Sequence, residues 1–191
     1  MKHDWYVWDG EIDEKVIDGI VKRCEKLPTN DAVVNKGGKD FDSDGEHIKE
    51  ERRSIVRWAN RDRELRDIIW EYGTKANDKA FGFDIIDKFE IQYTTYDGDD
   101  KGFYTWHADN NYFSSGHYDR KISVVIQLSD PSEYEGGKFE FDFNGDIVSP
   151  KGFDKKGSII AFPSFHKHRV TEVTKGKRNS LVSWIEGPHF K

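Results

Sequence analysis

The stretch Phe139-Glu140-Phe141-Asp142-Phe143 alternates aromatic and acidic side chains, and the turn pair Asn144-Gly145 follows it directly. Successive side chains of a β-strand point to opposite faces, so this alternation predicts a strand with one buried and one solvated face. Similar short β-branched and aromatic runs, separated by turn residues, surround it after Gly82. The predicted strands cover residues 86–96, 103–109, 121–129, 137–143, 146–149, 157–162, 168–173 and 178–186. Eight short strands of this kind predict a double-sheet jelly roll.

The first 82 residues have a helical pattern instead. Apolar residues recur at helical spacing over residues 11–27, before Pro28, and a second helix is predicted over residues 61–80 with Asn60 as its N-cap. Residues 5–8 predict a short strand. The polar, non-periodic residues 29–52 predict a long loop that serves as a lid or a surface segment.

These patterns together predict an α+β fold in one domain over residues 1–191. Its core is a double-stranded β-helix (a cupin-like jelly roll) over residues 83–191. The N-terminal helices of residues 1–82 form a support and lid region that packs on one outer face of that core.

Composition restricts the partners and the compartment. The formal net charge is −6, from 30 Lys and Arg against 36 Asp and Glu, so nucleic acid and anionic membranes are not expected as partners. No segment reaches 18 apolar residues, and the N-terminus lacks a signal-like apolar stretch. The single cysteine, Cys24, lies on the apolar face of the first predicted helix, which favours a buried thiol in a reducing, cytoplasmic (intracellular) setting. Oligomeric state is not indicated.

His107-Ala108-Asp109 at the end of an aromatic run is the first candidate for chemistry. Residues i and i+2 of a strand face the same side, so an imidazole and a carboxylate converge there as two ligands of a facial metal triad. With 7 His and 22 Asp in the chain, about 0.8 such matches are expected by chance. The second match, His117-Tyr118-Asp119, follows Ser114-Ser115-Gly116 and is interpreted as a solvated loop.

The third ligand has two candidates, His166 and His168, which share a parity and so cannot be separated by strand alternation. Ten residues after His168, Arg178 enters the last predicted strand. A guanidinium buried in a core strand requires a partner, and a carboxylate suits it best. Taken alone, Arg178 is more typical of an ordinary surface charge in the turn Lys175-Gly176-Lys177-Arg178.

Short motifs from Ile91 to Pro188 follow one another in an order and spacing typical of one enzyme family. They are Tyr93-Thr94-Thr95-Tyr96-Asp97-Gly98, His107-Ala108-Asp109, Arg120-Lys121-Ile122-Ser123, Leu128-Ser129-Asp130-Pro131, Tyr134-Glu135-Gly136-Gly137-Lys138-Phe139, Phe162-Pro163-Ser164, His168-Arg169-Val170, Gly176-Lys177-Arg178 and Trp184. The run resembles the 2-oxoglutarate and iron(II)-dependent dioxygenases, specifically their prolyl 4-hydroxylase-like branch, and is similar to small stand-alone members from bacteria and bacteriophages.

The resemblance implies roles for individual residues. His107, Asp109 and His168 match the catalytic Fe(II) ligands, and His168 is preferred over His166 because the family histidine lies four residues after the Ser of Phe-Pro-Ser. Arg178 matches the residue that pairs with the distal carboxylate of 2-oxoglutarate. Tyr96 matches a tyrosine that hydrogen-bonds the same carboxylate, and Tyr93, on the other strand face, is the second choice. Trp184 shares the parity of Arg178 and either lines the pocket or packs in the core.

The implied activity is hydroxylation of a C–H bond with consumption of O2 and release of succinate and CO2. Ascorbate is the expected reductant, so binding of L-ascorbic acid is expected too. The family suggests peptidyl proline as the substrate, while small metabolites and other side chains stay open. The polar segments 29–52, 97–102 and 110–120 are predicted to frame the substrate entrance.

Two alternatives use the same residues differently. One is a non-catalytic, metal-binding jelly-roll module. The other is a nucleobase-directed oxidative demethylase, which is disfavoured because such members carry a second arginine six residues after the first, where this chain has Trp184. Halogenation is disfavoured because Asp109 retains the carboxylate ligand that halogenating members replace with a small residue.

Overall fold

The computed structural model describes residues 3–31, 51–110 and 118–190, with the side chains of Asn30 and Asp31 left out. Thirteen strands in this part of the chain form two antiparallel sheets. The strands are β1 (Tyr6–Trp8), β2 (Asn30–Asp31), β3 (Arg52–Arg53), β4 (Ile55–Trp58), β5 (Ile91–Asp97), β6 (Phe103–His107), β7 (Tyr118–Gln127), β8 (Tyr134–Gly136), β9 (Phe139–Phe143), β10 (Asp146–Val148), β11 (Ile159–Pro163), β12 (His168–Val170) and β13 (Val173–Pro188).

The two sheets face each other as the layers of a jelly roll. The major sheet has the order β1-β11-β7-β13-β5-β4-β2, and β8 pairs with β13 beside it. The minor sheet has the order β10-β9-β12-β6-β3. The predicted α+β fold with a double-stranded β-helix core is therefore confirmed. Both sheets also recruit strands from the N-terminal region, because β1, β2 and β4 extend the major sheet and β3 ends the minor one.

Two helices are described, α1 (Glu14–Cys24) and α2 (Arg63–Ala76), and a π-helical turn follows over Asn77–Phe81. The helices begin where aspartate side chains cap them. Asp13 accepts from the Lys15 N–H, and Asp62 accepts from the Leu65 N–H. The predicted N-cap Asn60 is wrong, since its side-chain oxygen accepts from the Ile91 N–H and ties the chain to β5 instead.

Apolar side chains form two clusters, one on each face of the major sheet. The outer cluster packs both helices on the sheet, with Ile17, Ile20, Leu65 and Ile69 fully buried. Cys24 belongs to this cluster, and burial raises the pKa of its thiol to about 12, which suits an inert core residue. The inner cluster fills the space between the two sheets and includes residues of β5, β7, β9, β11 and β12. The interior of the jelly roll is therefore largely aromatic and aliphatic around any polar group placed in it.

Each of the eight predicted strands is present with shifted ends, while β8 and the N-terminal strands β2, β3 and β4 were not predicted. Of the predicted loop over residues 29–52, residues 32–50 lie outside the described part, and its two ends form β2 and β3. Among the described residues, no helix is long and apolar enough to cross a membrane.

Candidate metal and co-substrate site

His107, Asp109 and His168 converge at one end of the jelly roll. His107 is the last residue of β6 and His168 the first residue of β12, and the two are register partners across these strands. The His107 Nε2 lies 3.6 Å from Asp109 Oδ1, and the His168 Nε2 lies 3.5 Å from Asp109 Oδ2. One ligand atom from each residue falls within 4.8 Å of the others, which is the spacing of a group able to hold one metal ion.

Hydrogen bonds orient both imidazoles toward that point. The Nδ1 of His107 lies 2.8 Å from the Thr105 carbonyl oxygen, and the Nδ1 of His168 lies 2.9 Å from the His166 carbonyl oxygen. A carbonyl only accepts, so each Nδ1 donates this bond, and the neutral tautomer compatible with it has its lone pair on Nε2. This tautomer is the one in which Nε2 ligates a metal.

Asp109 is held by the strands on both sides of it. Its N–H donates to the Ser164 carbonyl over 2.8 Å, and its Oδ2 accepts from the Ser123 hydroxyl over 2.7 Å. Burial raises the pKa of this carboxyl, but His168, His107 and the Ser123 hydroxyl together outweigh burial and hold the pKa below its usual range. The carboxylate is therefore ionised and available as an anionic ligand.

His107 is neutral in this environment. Its ring stacks on Tyr104 with a centroid distance of 3.5 Å. Burial, reinforced by the neighbouring His168, lowers the pKa of His107 to about 3. A neutral imidazole is the form that binds a metal, so no proton has to leave His107 at neutral pH.

The structure distinguishes between His166 and His168, the two candidates for the third ligand that strand parity could not separate. His166 lies in the turn before β12, and its ring packs edge-on against Phe143 and Phe165, with Nε2 3.9 Å from Asp4. It contributes its backbone carbonyl to His168 and is not a member of the metal-binding group.

The second His-x-Asp motif spans residues 117–119, and its aspartate does not belong to the metal-binding group. His117 lies outside the described residues. Asp119 is buried, and it accepts from the His189 Nδ1 over 2.9 Å and from the Phe190 N–H over 2.7 Å. Its interpretation as a solvated loop residue is wrong, because β7 begins at Tyr118 and Asp119 anchors the C-terminal segment.

A cavity extends from the triad between the two sheets. Its charged and titratable lining comes from His107, Asp109 and His168 at the metal-binding group and from Arg52 and Arg178 elsewhere on the wall. The other polar side chains that line it are Gln92, Thr94, Tyr96, Tyr104, Ser180 and Trp184. Its apolar lining comes from Val125, Phe139, Val170 and Val182. A polar ligand in this cavity would therefore meet several charged and hydrogen-bonding groups set among a few apolar side chains.

Arg178 is buried in β13 opposite Tyr96, its register partner in β5. Its guanidinium carbon lies 5.8 Å from the centre of the Tyr96 ring, and its Nη1 has no hydrogen-bond partner among the described residues. A buried cationic donor without a partner is costly unless a ligand completes it. A carboxylate such as the distal group of 2-oxoglutarate fits this donor. The second-choice residue, Tyr93, lies in the outer cluster on the other face of the sheet.

Trp184 lines the cavity, as one of its two predicted roles required. Its Nε1–H is buried without a hydrogen-bond partner among the described residues, and the Arg120 guanidinium lies 4.0 Å from the centre of its ring. Trp58 packs beside it with a centroid distance of 6.4 Å. The indole therefore presents a second unused donor to the cavity.

Two groups at the site were missed by sequence reasoning. Ser123 belongs to the motif Arg120-Lys121-Ile122-Ser123, but its hydrogen bond to Asp109 was not predicted. Arg52 lines the cavity from β3, at the end of a segment predicted to be a loop. Its sequence context is charged and non-periodic, so only the pairing of β3 with β6 reveals it.

The fold is a jelly roll, and its cavity is lined by a His-Asp-His group able to hold a metal ion and by a buried guanidinium with a nitrogen that has no partner among the described residues. Residues 91–186 match the sequence profile of the 2OG-Fe(II) oxygenase superfamily. The chain belongs to this superfamily, and the predicted family is confirmed. Iron(II) and 2-oxoglutarate are the metal and co-substrate of the superfamily, and the donors described above fit both: two imidazoles with one carboxylate for the metal, and the unpartnered Arg178 for the co-substrate.

The chain is similar to PKHD-type hydroxylases. It is 42% identical over 86 residues to one from Synechococcus sp. (strain CC9311) and 41% identical over 83 residues to one from Prochlorococcus marinus. These matches cover 45% and 44% of this chain but only 37% and 36% of the relatives. The chain therefore matches about a third of the length of these curated relatives.

Solved structures share the fold over nearly the whole chain. A prolyl-4-hydroxylase from Pseudomonas putida superimposes with a TM-score of 0.69 at 15% identity, covering 98% of this chain and 94% of the other. The viral collagen prolyl hydroxylase from Paramecium Bursaria Chlorella virus-1, in its 2OG complex, gives a TM-score of 0.65 at 19% identity, covering 97% of both chains. At these identities, the likeness concerns the fold.

Proposed function

We propose that the protein is an Fe(II)- and 2-oxoglutarate-dependent dioxygenase that hydroxylates a C–H bond. In the balanced reaction, substrate, O2 and 2-oxoglutarate give hydroxylated substrate, succinate and CO2. The observation that carries the proposal is the shared cavity, which the metal-binding group and the unpartnered guanidinium of Arg178 both line.

His107, Asp109 and His168 would hold the metal through two imidazole nitrogens and one carboxylate. Three protein ligands leave positions open for a co-substrate and O2. When bound, iron(II) supplies the oxygen chemistry that oxidises the substrate. The Nδ1 hydrogen bonds of the two histidines and the Ser123 hydroxyl on Asp109 fix the directions of the ligand atoms.

Arg178 and Tyr96 would bind the distal carboxylate of 2-oxoglutarate. The pairing of β13 with β5 places both side chains next to each other on the wall of the cavity that the metal ligands also line. One molecule bound there would reach the metal with its keto-acid end while its distal carboxylate pairs with Arg178. The apolar lining around them excludes water and strengthens the ion pair.

Anaerobic titration tests the proposal. Adding iron(II) and 2-oxoglutarate to the protein is expected to produce a metal-to-ligand absorption band, and adding O2 is expected to produce succinate even without substrate. His168→Ala should remove both signals. His166→Ala, a matched control two residues away, should keep both. A His168→Ala protein that retains the band would overturn the ligand assignment, and the absence of any band in the natural protein would overturn the proposed activity.

The substrate is proposed from the relatives' names and from the resemblance. Peptidyl proline is the first compound class to test, since the similar structures include prolyl hydroxylases. A screen of proline-containing peptides, free amino acids and nucleotides, read as substrate-stimulated succinate formation, covers the alternatives. Ascorbate dependence of multiple turnovers is measured in the same assay. We also propose an intracellular setting, which the buried and unpaired Cys24 supports.

The two alternative functions have less support. A non-catalytic binding module has no use for the buried, unpartnered Arg178, and succinate formation would exclude it. A nucleobase-directed demethylase would carry a second arginine six residues after Arg178, and this chain has Trp184 at that position in the cavity. Retention on single-stranded nucleic acid at physiological salt would restore that interpretation.

A further inference from the structure

The cavity contains a second buried guanidinium, from Arg52. Only 6% of this residue is exposed. Its Nε donates to the Ser54 hydroxyl over 2.7 Å, and its Nη2 lies 3.4 Å from the Thr94 hydroxyl. Both partners are neutral, and no carboxylate among the described residues forms an ion pair with Arg52. The charge of this arginine is therefore not balanced by the part of the chain that the structure describes.

Arg52 belongs to the metal side of the cavity. Its guanidinium carbon lies 4.6 Å from the centre of the Tyr104 ring, and Tyr104 stacks on the metal-binding His107. Arg178 lies against Tyr96 in the opposite sheet. The two arginines thus come from different sheets and lie against different aromatic rings.

A count of charges in the cavity indicates the charge of the remaining ligand. Among the described residues, the charged groups and histidines that line the cavity are two guanidinium groups, one carboxylate and two imidazoles. Iron(II) adds two positive charges, and a doubly ionised 2-oxoglutarate removes two. Because an imidazole that ligates a metal is uncharged, one positive charge remains. Burying an unbalanced charge is unfavourable, so the complex is most stable when the remaining ligand is a monoanion.

We propose that Arg52 binds a carboxylate of the substrate, next to the C–H bond that is oxidised. This inference rests on the proposed function and narrows its substrate class to carboxylate-bearing molecules. The unpartnered Nε1–H of Trp184 lines the same cavity and supplies a second donor for a substrate oxygen. The carboxylate is either the α-carboxylate of a free amino acid or the side chain of an acidic residue in a peptide.

Matched probes separate these sources. The first set is the free L-amino acids, and the second is their α-amides, which differ only in the missing charge. The third set is the N-acetylated amides of aspartate and glutamate, which carry a side-chain carboxylate alone. Binding is measured calorimetrically under anaerobic conditions on protein loaded with Mn(II) and 2-oxoglutarate, and turnover is measured as stimulated succinate formation with iron(II).

Two variants and one control complete the design. Arg52→Gln is expected to weaken the binding of the best carboxylate probe about ten- to hundredfold, because a hydrogen bond to a charged group is lost. The affinity for the matching amide should stay unchanged. Arg52→Lys keeps the charge, so its affinity for the carboxylate probe should fall between those of the natural protein and Arg52→Gln. The control is Arg53→Gln on the exposed face of β3, where Arg53 covers Phe103 and donates to the Asp100 carbonyl. It should behave like the natural protein. Unchanged melting temperature and 2-oxoglutarate affinity in each variant show that the fold and the co-substrate site are intact.

Three results would overturn the inference: carboxylate probes that bind no tighter than their amides, an Arg52→Gln protein that keeps the preference, or an Arg52→Gln protein whose main defect is in 2-oxoglutarate binding. The last result would assign Arg52 to the co-substrate. Failure of the proposed function is recognised separately, since it removes substrate-free succinate formation, whereas the Mn(II) binding measurements report on Arg52 alone.

Discussion

Two clusters of charged and polar groups are each built around a buried aspartate, and they differ in how far the chain itself satisfies their charges. The site cluster consists of His107, Asp109, His168 and Arg178. The C-terminal cluster consists of Asp119, Lys121, His189 and the Phe190 N–H. Both clusters contain a nearly buried aspartate, with 8% of Asp109 and 4% of Asp119 exposed, and both contain a buried cation.

The difference is in the partners. Asp119 accepts two hydrogen bonds from the C-terminal segment, and the Lys121 Nζ lies 3.7 Å from its carboxylate and 3.2 Å from the centre of the Phe190 ring. In the site cluster, the Nε2 atoms of His107 and His168 lie 3.6 and 3.5 Å from the Asp109 oxygens, and Arg178 retains an unpartnered nitrogen. Satisfied charges hold the fold together, whereas unsatisfied ones identify the ligand site.

The strongest test of this contrast is removal of the aspartate from the site cluster. Asp109→Ala should abolish succinate formation and weaken metal binding by more than about a hundredfold, because even partners that only support a ligand change affinity by about 10–100-fold. Metal binding is measured by titration of the metal-free protein, with Asp142→Ala on β9, whose carboxylate pairs with Lys167, as the control. Retained metal affinity in Asp109→Ala would contradict the assigned ligand set.

Arg178 provides the second test, on the cation of the site cluster. Arg178→Gln should raise the KM for 2-oxoglutarate by about 30-fold or more, since truncating one member of a buried charge pair costs about 2–5 kcal/mol. Metal affinity should not change. In the natural protein, 2-oxoglutarate should raise the melting temperature, and in the variant this shift should disappear.

The stability of the ligand-free variant is equally informative. Arg178 is an unbalanced buried charge before 2-oxoglutarate binds, so its replacement by Gln should leave the ligand-free melting temperature unchanged or higher. A large loss of stability would instead show that Arg178 is a structural residue.

Much of the fold could be predicted because its strands carry strong local signals. The alternation of Phe139, Phe141 and Phe143 with acidic residues predicted β9. The glycines in the turns between the predicted strands separated β9 from its neighbours. The helices were found by apolar period, but their starts were not, because Asn60 and Asp62 are both good caps and only the tertiary bond from Asn60 to Ile91 decides between them.

The site was predictable where its residues follow one another along one strand. His107 and Asp109 are linked by spacing, and the convergence of His168 and Arg178 on the same cavity required the family resemblance. Arg52 was missed because its position depends on the pairing of Arg52 with Tyr104 across the minor sheet, which no local pattern encodes. The same limit explains Asp119, whose partners are seventy residues away in sequence.

Replacing Ser123 should have a smaller effect, but one that still separates a residue supporting the metal site from a residue supporting only the fold. Ser123→Ala removes the hydroxyl that donates to Asp109 and should reduce metal affinity or turnover by about 10–100-fold. Ser183→Ala is the matched control, since this fully buried serine of the adjacent strand donates only to the Glu90 carbonyl. The control should lose about 1 kcal/mol of stability and no metal affinity. Equal metal affinities in the two variants would show that the Ser123 bond does not tune Asp109.

The smallest expected effect belongs to Asp119, and it depends on pH. Burial raises the pKa of Asp119, but the hydrogen bonds from His189 and the Phe190 N–H outweigh burial and hold the pKa below its usual value. A carboxyl with a lowered pKa stabilises the fold above its unfolded pKa, near 4, and this contribution is lost as the pH falls through the folded value. Asp119→Asn should therefore lower the free energy of unfolding by about 1 kcal/mol at pH 7. The difference should shrink as the pH falls below about 4, as measured by urea denaturation across pH. Metal affinity should be unchanged, and a loss of metal binding in Asp119→Asn would transfer the ligand role to the second His-x-Asp motif.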